Sequence, residues 1–322
     1  MRKDSKQDKQ ITITDVQGYH QGGWDSGTHY AYLGFKQNKY FTSDRFIKLD
    51  DQFRRPDGKP LKGIGLEIET ECWGLKNQRI YAEVLNKIIF QAFPDDLFKL
   101  QNDGSLDGDT SAECITQVMT REFIRNQYPA FKAMYNDYFP AFGISCSKSG
   151  KCGMHVNISN AMFGAKKETQ DAAIKKLLYI VNKHYRFFCV LTNRDVNRTN
   201  YCRQMIQYAH KEACKNADLT SMPASHGICF NAGHYNKGRI ELRIVGGQKD
   251  FGCFRNTMES VFHVIEAVKK LSWEDCDDLT KIFAGCNQYV FDRLNTKCKL
   301  AETITQTQLD AIRSTIIREE LL

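Results

Sequence analysis

Residues 63–71, Gly-Ile-Gly-Leu-Glu-Ile-Glu-Thr-Glu, alternate apolar and polar side chains, and this stretch constrains the fold more than any other. A period of two residues predicts a β-strand whose two faces differ in chemistry. One face is apolar, and the other carries the carboxylates of Glu67, Glu69 and Glu71, spaced roughly 6–7 Å apart along the strand. Because like charges at this spacing repel each other, the acidic face needs either a cation or open solvent.

Both ways of relieving this repulsion are consistent with the alternation. Mg²⁺ is the usual partner of hard carboxylate oxygens, and it would make the acidic face a metal site. An edge strand of an antiparallel sheet could instead leave its charged face solvated. Other segments of the chain are needed to choose between the two.

Three later segments repeat the two-faced pattern. Residues 111–118 predict a strand that carries Glu113, and residues 153–158 and 238–247 alternate cleanly, with Asn231 shortly before the last of them. The polar faces of the last two segments carry His155 and Asn157, then Arg239, Glu241 and Arg243. Carboxylates can hold Mg²⁺ and arginines can clamp phosphate oxygens, so together they indicate a Mg-nucleotide site. The chain contains no GxxxxGK[ST] run, which excludes a P-loop enzyme.

Helical periodicity separates these strands. The predicted helices cover residues 80–93, 120–138, 167–190, 254–271 and 302–320. Strands connected by helices in this way favour an α+β fold with a mainly antiparallel sheet, one face packed on helices and the other forming a polar bowl. We divide the chain into a β-rich N-terminal extension with a disordered basic leader (1–60), a catalytic core (61–250) and a helical part packed on that core (251–322).

The composition indicates where the protein is located and what kind of ligand it binds. The chain has 322 residues, 42% hydrophobic and 26% charged, and lacks an apolar run near 18 residues, so no membrane segment is expected. The first ten residues lack the apolar stretch of a secretory signal. The twelve cysteines are scattered without a CxxC pair, which favours reduced thiols and a cytoplasmic location over a disulfide framework or a zinc site. A formal charge of +7 fits an anionic ligand such as a nucleotide, and it also allows a nucleic-acid or protein acceptor.

The ordered motifs resemble those of the putative amidoligases. The residues that carry the resemblance are Gly65-x-Glu67-x-Glu69, Asp103-Gly104-Ser105-Leu106, Glu113, Gly153-x-His155-Val156, Arg194, Asn200-Tyr201-Cys202, Asn231 and Arg239-x-Glu241-x-Arg243. That family belongs to the carboxylate–amine ligase superfamily, together with glutamate–cysteine ligase and glutamine synthetase. The resemblance covers about residues 60–250.

The resemblance implies a six-stranded antiparallel sheet that forms an active-site bowl and joins a carboxylate to an amine with ATP and Mg²⁺, or Mn²⁺ in its place. It implies that the metal ligands are Glu67, Glu69, Glu113 and Glu241. It implies that the nucleotide is bound by His155, Asn157, Arg194, Asn231 and Arg243. Arg243 and Arg239 would neutralise the transferred phosphate, and Asp103 and Ser105 would orient the amine at the substrate edge.

One position departs from the family pattern, and other functions remain open. The family often has a second histidine where this chain has Asn157, which still offers hydrogen bonds to a nucleotide or water. A phosphotransferase resembling the guanidino kinases would use the same Mg-ATP site, and a non-catalytic binding or structural protein could retain the sheet. The sequence names neither the small-molecule or peptide substrates nor the oligomeric state.

Overall fold

The computed structural model describes residues 61–76, 78–93, 97–102, 106, 110–197, 200–222 and 224–316. The predicted N-terminal extension and its basic leader lie outside the described residues. No helix among the described residues is long and apolar enough to span a membrane.

Within this part of the chain the strands form one sheet with antiparallel pairing throughout. The strands are β1 Ile64–Cys72, β2 Phe98–Asn102, β3 Thr110–Thr116, β4 Ile144–Ser145, β5 Met154–Ser159, β6 Phe230–Asn231 and β7 Arg239–Leu242. Six of the described strands follow the order β2-β3-β1-β5-β7-β6, and the two-residue strand β4 pairs with the end of β1. The predicted α+β fold with an antiparallel sheet of about six strands is confirmed.

Strand β1 lies in the middle of this sheet, between β3 and β5. The apolar side chains of Ile64, Leu66 and Ile68 are at most 1% exposed, whereas Glu67 and Glu69 on the opposite face are partly accessible. The alternation of residues 63–71 therefore marks a central strand, and the interpretation of a solvated edge strand is wrong.

Helices cover the apolar face of the sheet. In chain order they are α1 Gln78–Ala92, α2 Arg121–Asn126, α3 Tyr128–Lys132, α4 Phe139–Ala141, α5 Lys167–Lys183, α6 Tyr185–Leu191, α7 Lys211–Lys215, α8 Phe251–Lys270, α9 Leu279–Ile282, α10 Gln288–Arg293 and α11 Gln306–Arg313. Turns of 3₁₀-helix lie at Asn160–Met162, Ile206–Ala209, Tyr235–Lys237 and Asp275–Asp277, and π-helical turns lie at Ala133–Tyr138 and Leu294–Cys298. Helices α5 and α8 pack against each other, and Leu177 and Ile265 from them meet Leu242 of β7 around a small apolar gap.

Capping residues set the helix ends that periodicity left open. Helix α8 begins at residue 251 because the Asp250 side chain accepts a hydrogen bond of 2.7 Å from the Cys253 amide. The last helix begins later than the predicted residue 302, because Thr305 and Gln308 form a capping box in front of it. Pro129 lies in the first turn of α3, where its missing amide costs no helical hydrogen bond, so a new helix starts at this point of the predicted 120–138 helix.

All twelve cysteines belong to the described residues, and each of them is buried and forms no disulfide. Burial raises the pKa of several of these thiols, for example that of Cys189 to about 12. They therefore act as small apolar side chains in the core.

Candidate active site

The pairing register of β1 and β3 brings three carboxylates to one place on the polar face. Glu69 of β1 lies directly opposite Glu113 of β3, and Glu67 is two residues away on the same face of β1. Opposed residues of an antiparallel pair have neighbouring side chains, because their Cβ atoms are about 4.5–5.5 Å apart. Strand β3 therefore adds the carboxylate of Glu113 to those of Glu67 and Glu69 on the polar face of the sheet.

Strands β5 and β7 complete the polar face on the other side of β1. His155 of β5 lies opposite Glu67, and Asn157 of β5 lies opposite Glu241 of β7. Arg243 follows directly after β7, and its guanidinium reaches Glu241. These residues belong to three different predicted strands, and the sheet order makes them neighbours.

These side chains surround a cavity of about 420 Å³, which we call the bowl. Its size is that of a small-molecule site. Its lining consists of Glu67, Glu69, Leu106, Glu113, Lys151, His155, Arg194, Tyr201, His226, His234, Arg239, Glu241 and Arg243.

His155 lies at the centre of the carboxylates. Its Nδ1 is 3.1 Å from Glu67 Oε2 and 3.6 Å from Glu241 Oε1, and its Nε2 is 3.4 Å from Glu69 Oε1. Burial lowers the pKa of His155, but the hydrogen bond with Glu67 and the charge of Glu69 outweigh that effect, and the pKa is raised. The imidazolium form is therefore favoured while the surrounding carboxylates are ionised.

Glu67 is held in its ionised form. Asn157 Nδ2 donates a hydrogen bond of 2.8 Å to Glu67 Oε1, and His155 approaches its other oxygen. Burial raises the pKa of Glu67, but the hydrogen bonds and charge of His155, the hydrogen bond from Asn157 and the charge of Arg239 together lower the pKa to about 2. A partly accessible carboxylate with so low a pKa offers a fixed negative charge to a ligand.

Three arginines border the bowl, and each is held by the protein in a different way. Arg243 donates through one nitrogen to Glu241 Oε1 at 2.5 Å and through Nε to the His226 carbonyl at 3.0 Å. Arg239 donates to Asn157 Oδ1. Arg194 donates through one terminal nitrogen to the carbonyls of residues 243 and 245, at 3.0 and 2.7 Å. All three are less than 9% exposed, so their charges act in a largely dry environment.

The donor atoms of Glu67, Glu113 and His155 lie within 4.8 Å of one another and could hold a metal ion. Oxygen donors of this kind fit Mg²⁺ or Mn²⁺, whereas an imidazolium must lose its proton before it can bind metal. Of the other two predicted ligands, Glu69 accepts a hydrogen bond from the Gly153 amide, and Glu241 is engaged by both Asn231 and Arg243.

The remaining predicted residues do not all line the bowl. Asn157 and Asn231 are buried behind it, where they donate hydrogen bonds to Glu67 and Glu241. Asp103 and Ser105 lie outside the described residues, although Leu106 from the same loop lines the bowl.

Sequence reasoning missed three polar residues of the lining, namely Lys151, His226 and His234. All three lie in irregular segments before or between strands, where no periodicity marks which side chain faces inward. The one available signal is the glycine next to each of them, since glycine lets loops approach a site closely.

The bowl therefore combines four carboxylates, a favoured imidazolium and three guanidiniums on one sheet face. Such a set can bind a divalent cation and an anionic group side by side. Neither a protein-family model nor a curated protein sequence matches the chain.

Proposed function

We propose that this protein is an ATP- and Mg²⁺-dependent carboxylate–amine ligase related to the amidoligases. The observation that carries the proposal is the placement of Glu67, Glu69 and Glu113 beside Arg239 and Arg243 in one cavity. Binding Mg²⁺ alone would need no arginines, and binding an anion alone would be opposed by the carboxylates. A metal–phosphate ligand satisfies both halves of the cavity.

The carboxylates and the arginines of the bowl would have different roles. Glu67, Glu69 and Glu113 would hold Mg²⁺, or Mn²⁺ in its place, and Glu241 would orient Arg243 towards the phosphates. The bound metal would screen the negative charge of the phosphates. Arg239 and Arg243 would stabilise negative charge on the phosphoryl group during transfer, a contribution commonly worth about 10²–10³ in rate for one donor.

The reaction class follows from the chemistry of a carboxylate. A carboxylate is a poor acyl donor at neutral pH, so one of its oxygens first attacks the γ-phosphorus of ATP and ADP leaves. The amine nitrogen then attacks the acyl carbon, phosphate leaves and the amine gives up one proton. Leu106 and Tyr201 line the bowl and belong to the two segments, 103–109 and 193–202, that we propose exclude water from the acyl phosphate.

The twelve buried cysteines, none of which forms a disulfide, support a cytoplasmic location for this ligase. Its carboxylate and amine would be small molecules or peptides.

Calorimetry of ATP binding with and without Mg²⁺, on the wild type and on Glu69→Gln, tests the proposal. Glu274→Gln is the matched control, because Glu274 is an exposed glutamate on the far helical part of the chain. We expect ATP binding to require Mg²⁺, to weaken at least about tenfold in Glu69→Gln, and to stay unchanged in the control. Turnover should be lost in Glu69→Gln while its melting temperature stays near the wild-type value.

Product analysis then separates the possible reactions. Release of ADP and phosphate with formation of an amide supports the ligase. A phosphorylated product without an amide would point instead to a phosphotransferase resembling the guanidino kinases. Absence of nucleotide binding under every condition would indicate a non-catalytic protein that has retained the sheet.

A further inference from the structure

A second cavity of about 670 Å³ lies beside the bowl. Its lining includes Ser149, Gly150, Asn193, Arg194, Lys297 and Leu300. Arg194 lines both cavities, so the second cavity adjoins the bowl at this residue. The second cavity contains none of the residues assigned above to metal or nucleotide except Arg194.

Arg194 is buried and incompletely hydrogen-bonded. It is 5% exposed, and one of its terminal nitrogens donates to the carbonyls of Arg243 and Val245. Its buried Nε has no hydrogen-bond partner within the described residues. A buried guanidinium that is incompletely hydrogen-bonded is costly, and a ligand carboxylate at the accessible part of the side chain would offset that cost.

Glycines fix the position of Arg194 between the cavities. A Cβ atom on Gly246 would lie 2.2 Å from the Asn193 carbonyl oxygen, and one on Gly153 would lie 2.7 Å from an Arg194 terminal nitrogen. Larger residues at these two positions would push the Asn193–Arg194 segment away. The backbone of Asn193 also has a φ of 65°, an unusual value for a residue other than glycine, at the wall of the second cavity.

The loop of residues 147–153 separates the cavities. Lys151 lines the bowl, while Ser149 and Cys152 line the second cavity. The amides of Ser149 and Gly153 donate to Glu71 and Glu69 of β1, so the partition is attached to the central strand at two points.

Other residues of the second cavity's lining are exposed. Lys297 and Leu300 are exposed, and Leu300 is 83% exposed. The lining as a whole carries three cations, Lys148, Arg194 and Lys297, against the single carboxylate of Asp195. The lining thus combines a buried guanidinium with an exposed rim that offers a cation and an apolar side chain.

We infer that the second cavity binds the carboxyl end of an acidic peptide, with its terminal carboxylate on Arg194 and its preceding residues against Lys297 and Leu300. The inference rests on the proposed ligase function, because Arg194 would then present this carboxylate to the phosphoryl group in the bowl. The greater volume of the second cavity, and its exposed apolar rim, favour an extended chain over a single small acid.

The test measures binding of the peptide acetyl-Glu-Glu-Gly by calorimetry at low salt. The same peptide with an amidated C-terminus differs only in lacking the terminal carboxylate, and glutarate serves as the small acid. Lys297→Glu is compared with Lys299→Glu, the same charge change two residues away and outside both cavities. Arg194→Gln provides the second variant, and Mg-ATP binding is measured on every protein.

We expect the free-acid peptide to bind the wild type and Lys299→Glu equally, and to bind Lys297→Glu about three- to tenfold more weakly. Amidation of the peptide, or Arg194→Gln, should weaken binding at least about tenfold, because each removes one side of a buried charge-assisted hydrogen bond.

Equal binding of the acid and amide peptides would overturn the inference, and so would equal binding by Lys297→Glu and Lys299→Glu or glutarate binding as tight as the peptide. Failure of the peptide to bind a protein that binds Mg-ATP would also overturn it and leave the ligase proposal standing. The peptide could also show the expected losses of affinity on amidation, in Arg194→Gln and in Lys297→Glu while the protein binds no Mg-ATP. That result would support the peptide site and contradict the ligase proposal.

Discussion

The backbone amide of Ser149 donates a hydrogen bond of 2.7 Å to Glu71 Oε1 and ties the loop before β5 to the end of the central strand β1. Glu71 is fully buried and does not line the bowl. The third carboxylate of the acidic alternation therefore supports the wall between two cavities, while the first two face the bowl.

Replacing Glu71 by Ala should destabilise the protein by about 1–3 kcal/mol, because the Ser149 amide loses its acceptor and a buried space is left. Glu71→Gln keeps an acceptor oxygen and should cost less. Urea denaturation measures both free energies of unfolding, and amide exchange at Ser149 should accelerate in Glu71→Ala only. Wild-type stability and exchange in Glu71→Ala would show that this bond does not hold the loop.

Asn157 should act through Glu67. Removing its side chain in Asn157→Ala takes away the 2.8 Å hydrogen bond to Glu67 and the acceptor for Arg239. A residue that hydrogen-bonds to a metal ligand commonly contributes about 10–100-fold to metal affinity. The affinity for Mg²⁺ or Mn²⁺ should therefore fall by about that factor in Asn157→Ala. Manganese titration followed by electron paramagnetic resonance measures it, with the exposed Asn236→Ala as control. An unchanged manganese affinity in Asn157→Ala would place the metal away from Glu67.

Gly153 should tolerate no side chain. In Gly153→Ala the added Cβ would lie 2.7 Å from Arg194, 3.2 Å from His155 Nε2 and 3.3 Å from Glu69 Oε2. Displacing these groups by a fraction of an ångström should weaken Mg-ATP binding about tenfold to a hundredfold, since site geometry is sensitive to such shifts. Gly227→Ala is the control, because its nearest neighbour is the end of the exposed Arg203 side chain. Equal Mg-ATP affinities in Gly153→Ala and Gly227→Ala would contradict the prediction that a side chain at residue 153 disturbs the site.

Periodicity was enough to predict the regular part of the site. A strand has only two faces, so the alternation around Glu67, His155 and Glu241 already determined that these side chains share the polar face once the strands pair. The strand order itself depends on contacts between distant segments. Sequence patterns therefore predicted the polar face but left open that β1 is a central strand.

The irregular part of the site could not be predicted in the same way. Arg194 lies in a loop, and its position depends on close contacts of Gly153 and Gly246 that no local pattern reveals. Glu71 matches Glu67 and Glu69 in the alternation, yet its role is set by a loop 78 residues later in the chain. Residues 1–60 and the Asp103–Ser105 prediction lie outside the described residues and stay predictions, as does the division at residue 250.

Another buried carboxylate, that of Glu259 on α8, lies away from the bowl. It accepts hydrogen bonds of 2.8 Å from both Arg121 and Arg125, of 2.7 Å from the Tyr128 hydroxyl and of 3.0 Å from Asn287. Burial raises its pKa, but the hydrogen bonds from Arg125, Arg121 and Tyr128 outweigh that effect and lower the pKa from 4.5 to about 2. The ionised form of Glu259 thus connects α8 to α2 and α3.

This lowered pKa predicts how stability depends on pH. Because Glu259 binds its proton more weakly in the folded protein, its contribution is complete above about pH 4.5 and is lost as the pH falls towards 2. The contribution is on the order of 3 kcal/mol, the free energy equivalent of the lowered pKa. Glu259→Gln should therefore be less stable than the wild type at pH 7, and the difference should shrink between pH 4.5 and 3, measured by urea denaturation. Glu266→Gln, a half-exposed glutamate on the same helix, should show no such trend. A difference that stays constant from pH 7 to 3 would mean that folding leaves the pKa of Glu259 unchanged.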